Sequence, residues 1–134
     1  RDTYFQIKNK DENLPDCVIF DIDGTLAFKG KRGHFDWDKV DVDHLNPIVS
    51  EHVNFHVSQN RKIFILTGRD EASRQKTLEW LDFYDIKFDH LLMRKKDDHR
   101  RDNIIKKEMF KENIENKYNV HCIYDDRLQV VKMW

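Results

Sequence analysis

The chain has 134 residues, a length that suits one domain with one core. Charged residues make up 37%, hydrophobic ones 39% and aromatics 12%, which excludes a disordered chain. A net charge of −1 excludes global attraction to polyanions, so nucleic acid or an anionic surface would have to be met by a local basic patch. Residues 1–15 are polar apart from Tyr4, Phe5 and Ile7, and read as an irregular lead-in. Cys17-Val18-Ile19-Phe20 is a continuous apolar run, the pattern of a strand buried on both faces of a parallel sheet. A loop-like stretch over residues 28–42 carries Gly30 and Gly33. Asn46-Pro47 then opens a helix to about Gln59, with Ile48, Val49, Val53 and Val57 as its apolar positions. Lys62-Ile63-Phe64-Ile65-Leu66 is a second buried strand, closed by Thr67-Gly68-Arg69. Asp70 is placed to cap a helix from Glu71 to about Phe83. His90-Leu91-Leu92-Met93 is a third strand, and Asp102 is placed to cap a helix to about Tyr118, with Ile105, Met109 and Ile114 inward. Cys122-Ile123-Tyr124 is a fourth strand ending in Asp125-Asp126, and a last helix runs from Leu128.

Alternating strands and helices imply an α/β fold, a Rossmann-like parallel sheet with helices on both faces. In such sheets ligands bind beyond the carboxyl ends of the strands. Three of those ends carry unusual polar groups: Asp21 and Asp23, Thr67-Gly68-Arg69, and Asp125-Asp126. The topology thus collects them at one edge. Cys17 and Cys122 lie beside apolar runs and read as small buried hydrophobes, not as a bridge or a metal site. That usage, with no signal peptide and no apolar run of membrane-spanning length, leads us to expect a cytoplasmic protein without membrane partners. The chain begins at Arg1, as a piece of a longer protein would.

Four carboxylates in one pocket repel. Two unit charges 4 Å apart cost roughly 4 kcal/mol at an effective dielectric of 20. Either some are protonated or a cation sits among them. All-oxygen ligands favour a hard ion, and magnesium commonly takes one or two carboxylates plus phosphate oxygens and water. A carboxylate can also attack phosphorus and form an aspartyl-phosphate. Asp23, two residues on, is near enough to protonate the leaving oxygen and then activate water. Gly24 lets the backbone turn sharply toward the phosphate.

Asp21-Ile22-Asp23-Gly24-Thr25 at a strand end resembles the first motif of the haloacid dehalogenase superfamily of phosphatases. The resemblance continues in order with Thr67, Lys106 and Asp125-Asp126. From Val18 to Trp134 the chain is similar to the 3′-phosphatase domains of phage polynucleotide kinase/phosphatases. The shared features include Arg32-Gly33, Asn46-Pro47, Thr67-Gly68-Arg69, Arg101-Asp102 before Lys106, and Asp125-Asp126-Arg127. The resemblance implies Asp21 as nucleophile, Asp23 as acid/base, and Thr67 and Lys106 on the phosphate. It implies Mg2+ held by the Asp21 side chain, the Asp23 carbonyl and Asp126, with Asp125 beside them or sharing the role. It implies substrate contacts from Thr25, Arg32, Gly68, Arg69 and Arg94, and Asp102 as the partner that orients Lys106. Thr67 stands where the phage enzymes have Ser, and the connection after Arg69 is shorter.

About forty residues separate Thr25 from Thr67, and about forty Thr67 from Lys106, which leaves no room for a cap domain. An open site suits a bulky substrate. It suits a phosphoprotein as well as a nucleic-acid end, so spacing bounds size and not identity; what the resemblance implies is hydrolysis of a terminal 3′-phosphate of DNA or RNA, in end repair. Its rivals are a small-molecule phosphatase or nucleotidase, and a non-catalytic module that binds phosphorylated ends. No Gly-x-x-x-x-Gly-Lys-Ser/Thr loop occurs, so a kinase or ligase domain would have to be attached or separate. His52 and His56 have the spacing of a zinc pair but no evident third ligand, and read as a polar helix face. The run from Arg94 to Arg101 reads either as a solvated loop or as a phosphate-backbone contact. Phe35 and Trp37 read either as packing or as a stacking surface for a terminal base.

Overall fold

The computed structural model describes residues 10–28 and 43–134. In chain order they form β1 (Asp16–Phe20), β2 (Ala27–Phe28), β3 (His44–Leu45), α1 (Pro47–Ser58) and β4 (Lys62–Asp70). There follow α2 (Arg74–Phe83), β5 (His90–Arg94), α3 (Asp102–Asn113), β6 (Asn119–Tyr124) and α4 (Leu128–Met133). Four strands make a parallel sheet in the order β5-β4-β1-β6.

The central strand β1 explains its own composition. Val18 and Phe20 face one side, with Ile63 and Ile65 of β4, Val53 of α1, and Trp80 and Leu81 of α2. Cys17 and Ile19 face the other, with Phe64 and Leu66 of β4 and Ile105 and Met109 of α3. A strand covered on both faces has no polar side, hence the unbroken apolar run. The α/β expectation with helices on both faces holds. The helix after β1 lies on one face and α4, after β6, packs on α3 of the other. Neighbouring strands whose connections leave in opposite directions open a crevice at their carboxyl ends. Asp21 follows β1 and Asp125 follows β6, so both stand in it.

Side-chain caps start α1 and the 3-10 turn before α2, while α2, α3 and α4 have none. The Asn46 side chain accepts from the Ile48 N–H at 3.2 Å, with Pro47 as the first helical residue. The Asp70 side chain accepts from the Ala72 N–H at 2.8 Å, although a short 3-10 turn, Glu71–Ser73, precedes α2. Asp102 differs from expectation: it is the first residue of α3, and Arg101 takes the cap position without a side-chain hydrogen bond. That helix also stops at Asn113 and not near Tyr118. A turn follows in which Asn116 takes a left-handed φ of 64°, a conformation asparagine tolerates better than most residues. The antiparallel pair β2 and β3 has two residues per strand, too few to leave a periodic trace.

Thr67-Gly68-Arg69 does not close β4 but lies within it. The pairing with β5 jumps from Thr67↔Met93 to Asp70↔Arg94, so Gly68 and Arg69 form a bulge. Both cysteines are free thiols, and burial pushes Cys17 up to about 12. Arg32, Gly33, Phe35 and Trp37 lie outside the described residues. Among the described residues no helix is long and apolar enough to cross a membrane.

Candidate active site

Asp21 is delivered by the end of β1. Its N–H donates to the Tyr124 carbonyl at 2.9 Å, continuing the pairing with β6 one step past the strand. The chain then reverses through a tight turn in which the Ala27 N–H donates to the Ile22 carbonyl at 2.9 Å. Gly24 has φ +81° there, and a Cβ at that position would overlap the Asp126 carboxylate, so glycine is needed on both counts. Thr25 is buried in this turn, and its Oγ1 has no hydrogen-bond partner among the described residues.

Lys106 reaches Asp21 from α3. Its buried Nζ donates to Asp21 Oδ1 at 2.8 Å and to Asp125 Oδ2 at 2.9 Å. Asp21, Asp125 and Asp126 each offer a carboxylate oxygen within 4.8 Å of the others. One ammonium against three carboxylates leaves net negative charge, with Asp21 buried, Asp125 half-buried and Asp126 exposed to the cleft. Burial pushes the Asp21 carboxyl up to about 8, with Lys106 pulling it down and Asp125 pushing it further up. Burial also opposes the Lys106 ammonium, but Asp21 and Asp125 outweigh it and its pKa is raised. Three converging oxygens with uncompensated charge fit a hard divalent cation and could hold one.

Asp23 points to the other side of the cleft and is gripped by Arg69. The guanidinium donates from Nε to Asp23 Oδ2 at 3.1 Å and from Nη2 to Asp23 Oδ1 at 2.9 Å. It also donates from Nη2 to Asp43 Oδ2 at 2.8 Å and from Nη1 to Thr77 Oγ1 at 3.2 Å. Arg69 has no exposed side-chain surface. The expected contact of Arg69 with substrate phosphate is not what the structure displays: the guanidinium holds Asp23 and Asp43 and exposes no surface to the cleft. The bulge is the reason, because the extra residues turn this side chain into the core. Thr67 is likewise fully buried, its Oγ1 accepting from the Arg69 N–H at 3.1 Å.

Asp102 does not orient Lys106, a second correction. It pairs with Arg94 Nη2 and, at 2.9 Å, with Arg127 Nη1, while Lys106 extends inward to Asp21 and Asp125. Arg94 also donates from Nε to the Gly68 carbonyl at 2.8 Å and from Nη1 to the Asp98 carbonyl at 2.9 Å, so it ties the loop before α3 to β4. A side chain at Gly68 would overlap the Asp102 carboxylate. These groups line one open cleft of about 1010 Å³, together with Asp21, Asp23, Lys106, Asp126, Phe28, Arg100 and Arg101. The sequence reading missed Asp43, whose carboxylate is fully buried on Arg69 and whose carbonyl accepts from Trp80 Nε1 at 3.1 Å. An acidic residue in a loop gave no signal, since only the fold brings it to Arg69. Phe28 and Gln129 were also missed as lining residues; Arg127 was visible only as part of a motif.

A strand-end aspartate, a second carboxylate two residues on, and a lysine bridging to an acidic pair at the switch point of a parallel sheet define a phosphatase of the haloacid dehalogenase type. The sequence profile of the polynucleotide kinase PNKP phosphatase domain matches residues 15–134, and the chain belongs to that family. It is 34% identical over 126 residues to a protein of Autographa californica nuclear polyhedrosis virus named "Putative bifunctional polynucleotide kinase/RNA ligase", covering 92% of this chain and 18% of that one. A solved chain from a Pnkp1/Rnl/Hen1 complex superposes with a TM-score of 0.94 at 42% identity, over 100% of this chain and 47% of that one. A chain from a Pnkp1/Rnl/Hen1 RNA repair complex gives 0.94 and 42%, with 100% and 43% covered. The chain thus spans less than half the length of these solved relatives and 18% of the viral one.

Proposed function

We propose that the chain is a Mg2+-dependent polynucleotide 3′-phosphatase that frees a 3′-hydroxyl for end repair. The observation that carries this reading is Lys106 clamped between Asp21 and Asp125, with Asp126 alongside, on the floor of an open cleft. The cleft's breadth supports a polymer end over a small metabolite. The family and the names of the relatives support nucleic acid, and the two names that include RNA make an RNA end the first substrate to test.

Asp21, once its carboxyl has given its proton to solvent and with Lys106 holding one oxygen, attacks the terminal phosphorus and forms an aspartyl-phosphate. Asp23, fixed by the two-pronged grip of Arg69, relays a proton from solvent to the departing 3′-oxygen. It then takes a proton from water, which attacks the same phosphorus and returns free Asp21 and inorganic phosphate. Asp21, Asp126 and the Asp23 carbonyl would hold magnesium, with Asp125 beside them, and the ion would supply positive charge for the phosphoryl oxygens. Lys106 supplies the remainder from the protein. Arg94 and Arg127 stand at the rim, where a neighbouring backbone phosphate would pass.

A substrate panel tests this. With magnesium, an oligoribonucleotide bearing a 3′-phosphate should release phosphate much faster than a 5′-phosphorylated strand or a mononucleotide. Faster release from mononucleotides would replace the proposal with a nucleotidase. Binding without release would leave an end-binding module. We also propose that the domain works beside a ligase or kinase domain, attached or separate, as the names of its relatives describe for them.

A further inference from the structure

His56 of α1, though not His52, meets two potential ligands, and both come from the edge strand β6. Along β1 and β6 the pairing runs Cys17↔Val120 and then Val18↔Cys122, so His121 is an extra residue opposite one step of β1. Such a bulge breaks the alternation of side chains and re-aims them. Val120 accordingly packs toward α3, whereas Cys122 packs toward α1. The exposed His121 ring lies against the buried His56 ring of α1, centroids 5.8 Å apart. Cys122 Sγ is 3.5 Å from His56 Nε2. One ligand atom from each of His56, His121 and Cys122 lies within 4.8 Å of the others.

We propose that His56, His121 and Cys122 form a site for one borderline-soft divalent ion, zinc above all, which pins β6 to α1. Two imidazoles and a thiolate match zinc chemistry, and three protein ligands leave a fourth position for water. The exposed edge at His121 provides the way in. Burial, with Arg61, His121 and His52 adding to it, pushes His56 down to about 4, so at neutral pH its ring is uncharged.

Binding requires two adjustments that the geometry makes explicit. The Cys122 thiol must release its proton to solvent. Arg61 Nη1 lies 3.1 Å from His56 Nδ1, and a guanidinium can only donate. Nδ1 therefore accepts, and Nε2 carries the hydrogen that is given to Tyr124 Oη at 2.9 Å. For Nε2 to bind the ion, that hydrogen must move to Nδ1 and the half-buried Arg61 must swing away. Arg61 thus competes with the metal, whose place would be three residues before Asp125.

The test is a titration of the intact protein with Co2+, read at the near-ultraviolet charge-transfer band of a thiolate bound to cobalt. The oxygen ligands at Asp21, Asp125 and Asp126 give no such band. One equivalent should saturate it, and zinc should then displace cobalt. Cys122→Ser should abolish the band and Asp21→Asn should leave it intact. His121→Ala, at an exposed position, should weaken binding about tenfold or more, and Arg61→Met should tighten it. No band at stoichiometric cobalt, a band that survives Cys122→Ser, or unchanged affinity in His121→Ala would overturn the proposal.

Discussion

Two ion networks reach the same cleft, one through Asp23 and one through Arg100 and Asp98, and they teach opposite lessons. On its inner wall Arg69 joins Asp23 and Asp43, and neither Arg69 nor Asp43 exposes any side-chain surface. On its rim Arg100 joins Asp98 and Glu108, and Arg100 is 47% exposed. The ionic chemistry is the same and the surroundings differ. A charge enclosed without its partner has no water to turn to, so the inner network is rigid and costly to break. The outer pairs are screened by solvent and salt and contribute little, so Arg100 can change partners at small cost. In the proposed reaction that puts rigidity where Asp23 would be aimed, and exchangeable charge where a polymer end would enter.

The largest expected effect is on the nucleophile. Asp21→Asn should lower turnover by at least about 10⁴-fold, while circular dichroism and melting show an intact fold. Arg69→Met tests the inner network. It takes a guanidinium away from the buried Asp43 carboxylate and from Asp23, and should cost about 3–5 kcal/mol in urea unfolding, with activity lost through Asp23. Arg69→Lys should not restore activity, because an ammonium cannot reproduce the two-pronged grip. An Arg69 variant as stable as the parent would erase the contrast between the two walls.

Proton linkage sharpens the same contrast. The Asp21 carboxyl is raised from 3.8 to about 8, so between those values the folded protein binds more protons than the unfolded chain. Without metal, stability should therefore fall as pH rises from about 4 to 8, by an amount on the order of a few kcal/mol. Asp21→Asn or added Mg2+ should flatten that slope in a melting series. At the rim the sign is reversed. Hydrogen bonds from Arg100 hold the Asp98 carboxyl well below the ordinary range, so its contribution is present above about 3.8 and lost only as pH falls below it. The smallest effect follows: Arg100→Ala at neutral pH should leave the melting midpoint within about 2 °C of the parent.

Much of the floor of the site was legible before any coordinates. The apolar runs that end in Asp21 and Asp125 placed both at the carboxyl edge, because a doubly covered strand must be continuous and a parallel sheet has one such edge. Lys106 could be assigned through the family motif. The walls were not legible, for physical reasons. Arg69 looked like a ligand contact because its place after Thr67 is the same whether the strand bulges or ends. Asp102 looked like a helix cap serving Lys106, and its pairing with Arg94 and Arg127 depends on how three elements meet. Asp43 belongs to no pattern at all, and His121 turns toward His56 only because β6 slips by one residue.

The central claim is that Asp21 carries the phosphoryl group. Single-turnover reaction with an oligoribonucleotide labelled in its 3′-terminal phosphate, quenched in acid and digested, tests it most directly. The account predicts transient label on the peptide that contains Asp21, and far less of it in an Asp23→Asn variant, which can neither protonate the departing 3′-oxygen nor activate water. Phosphate released at full rate with no label ever on that peptide would contradict it.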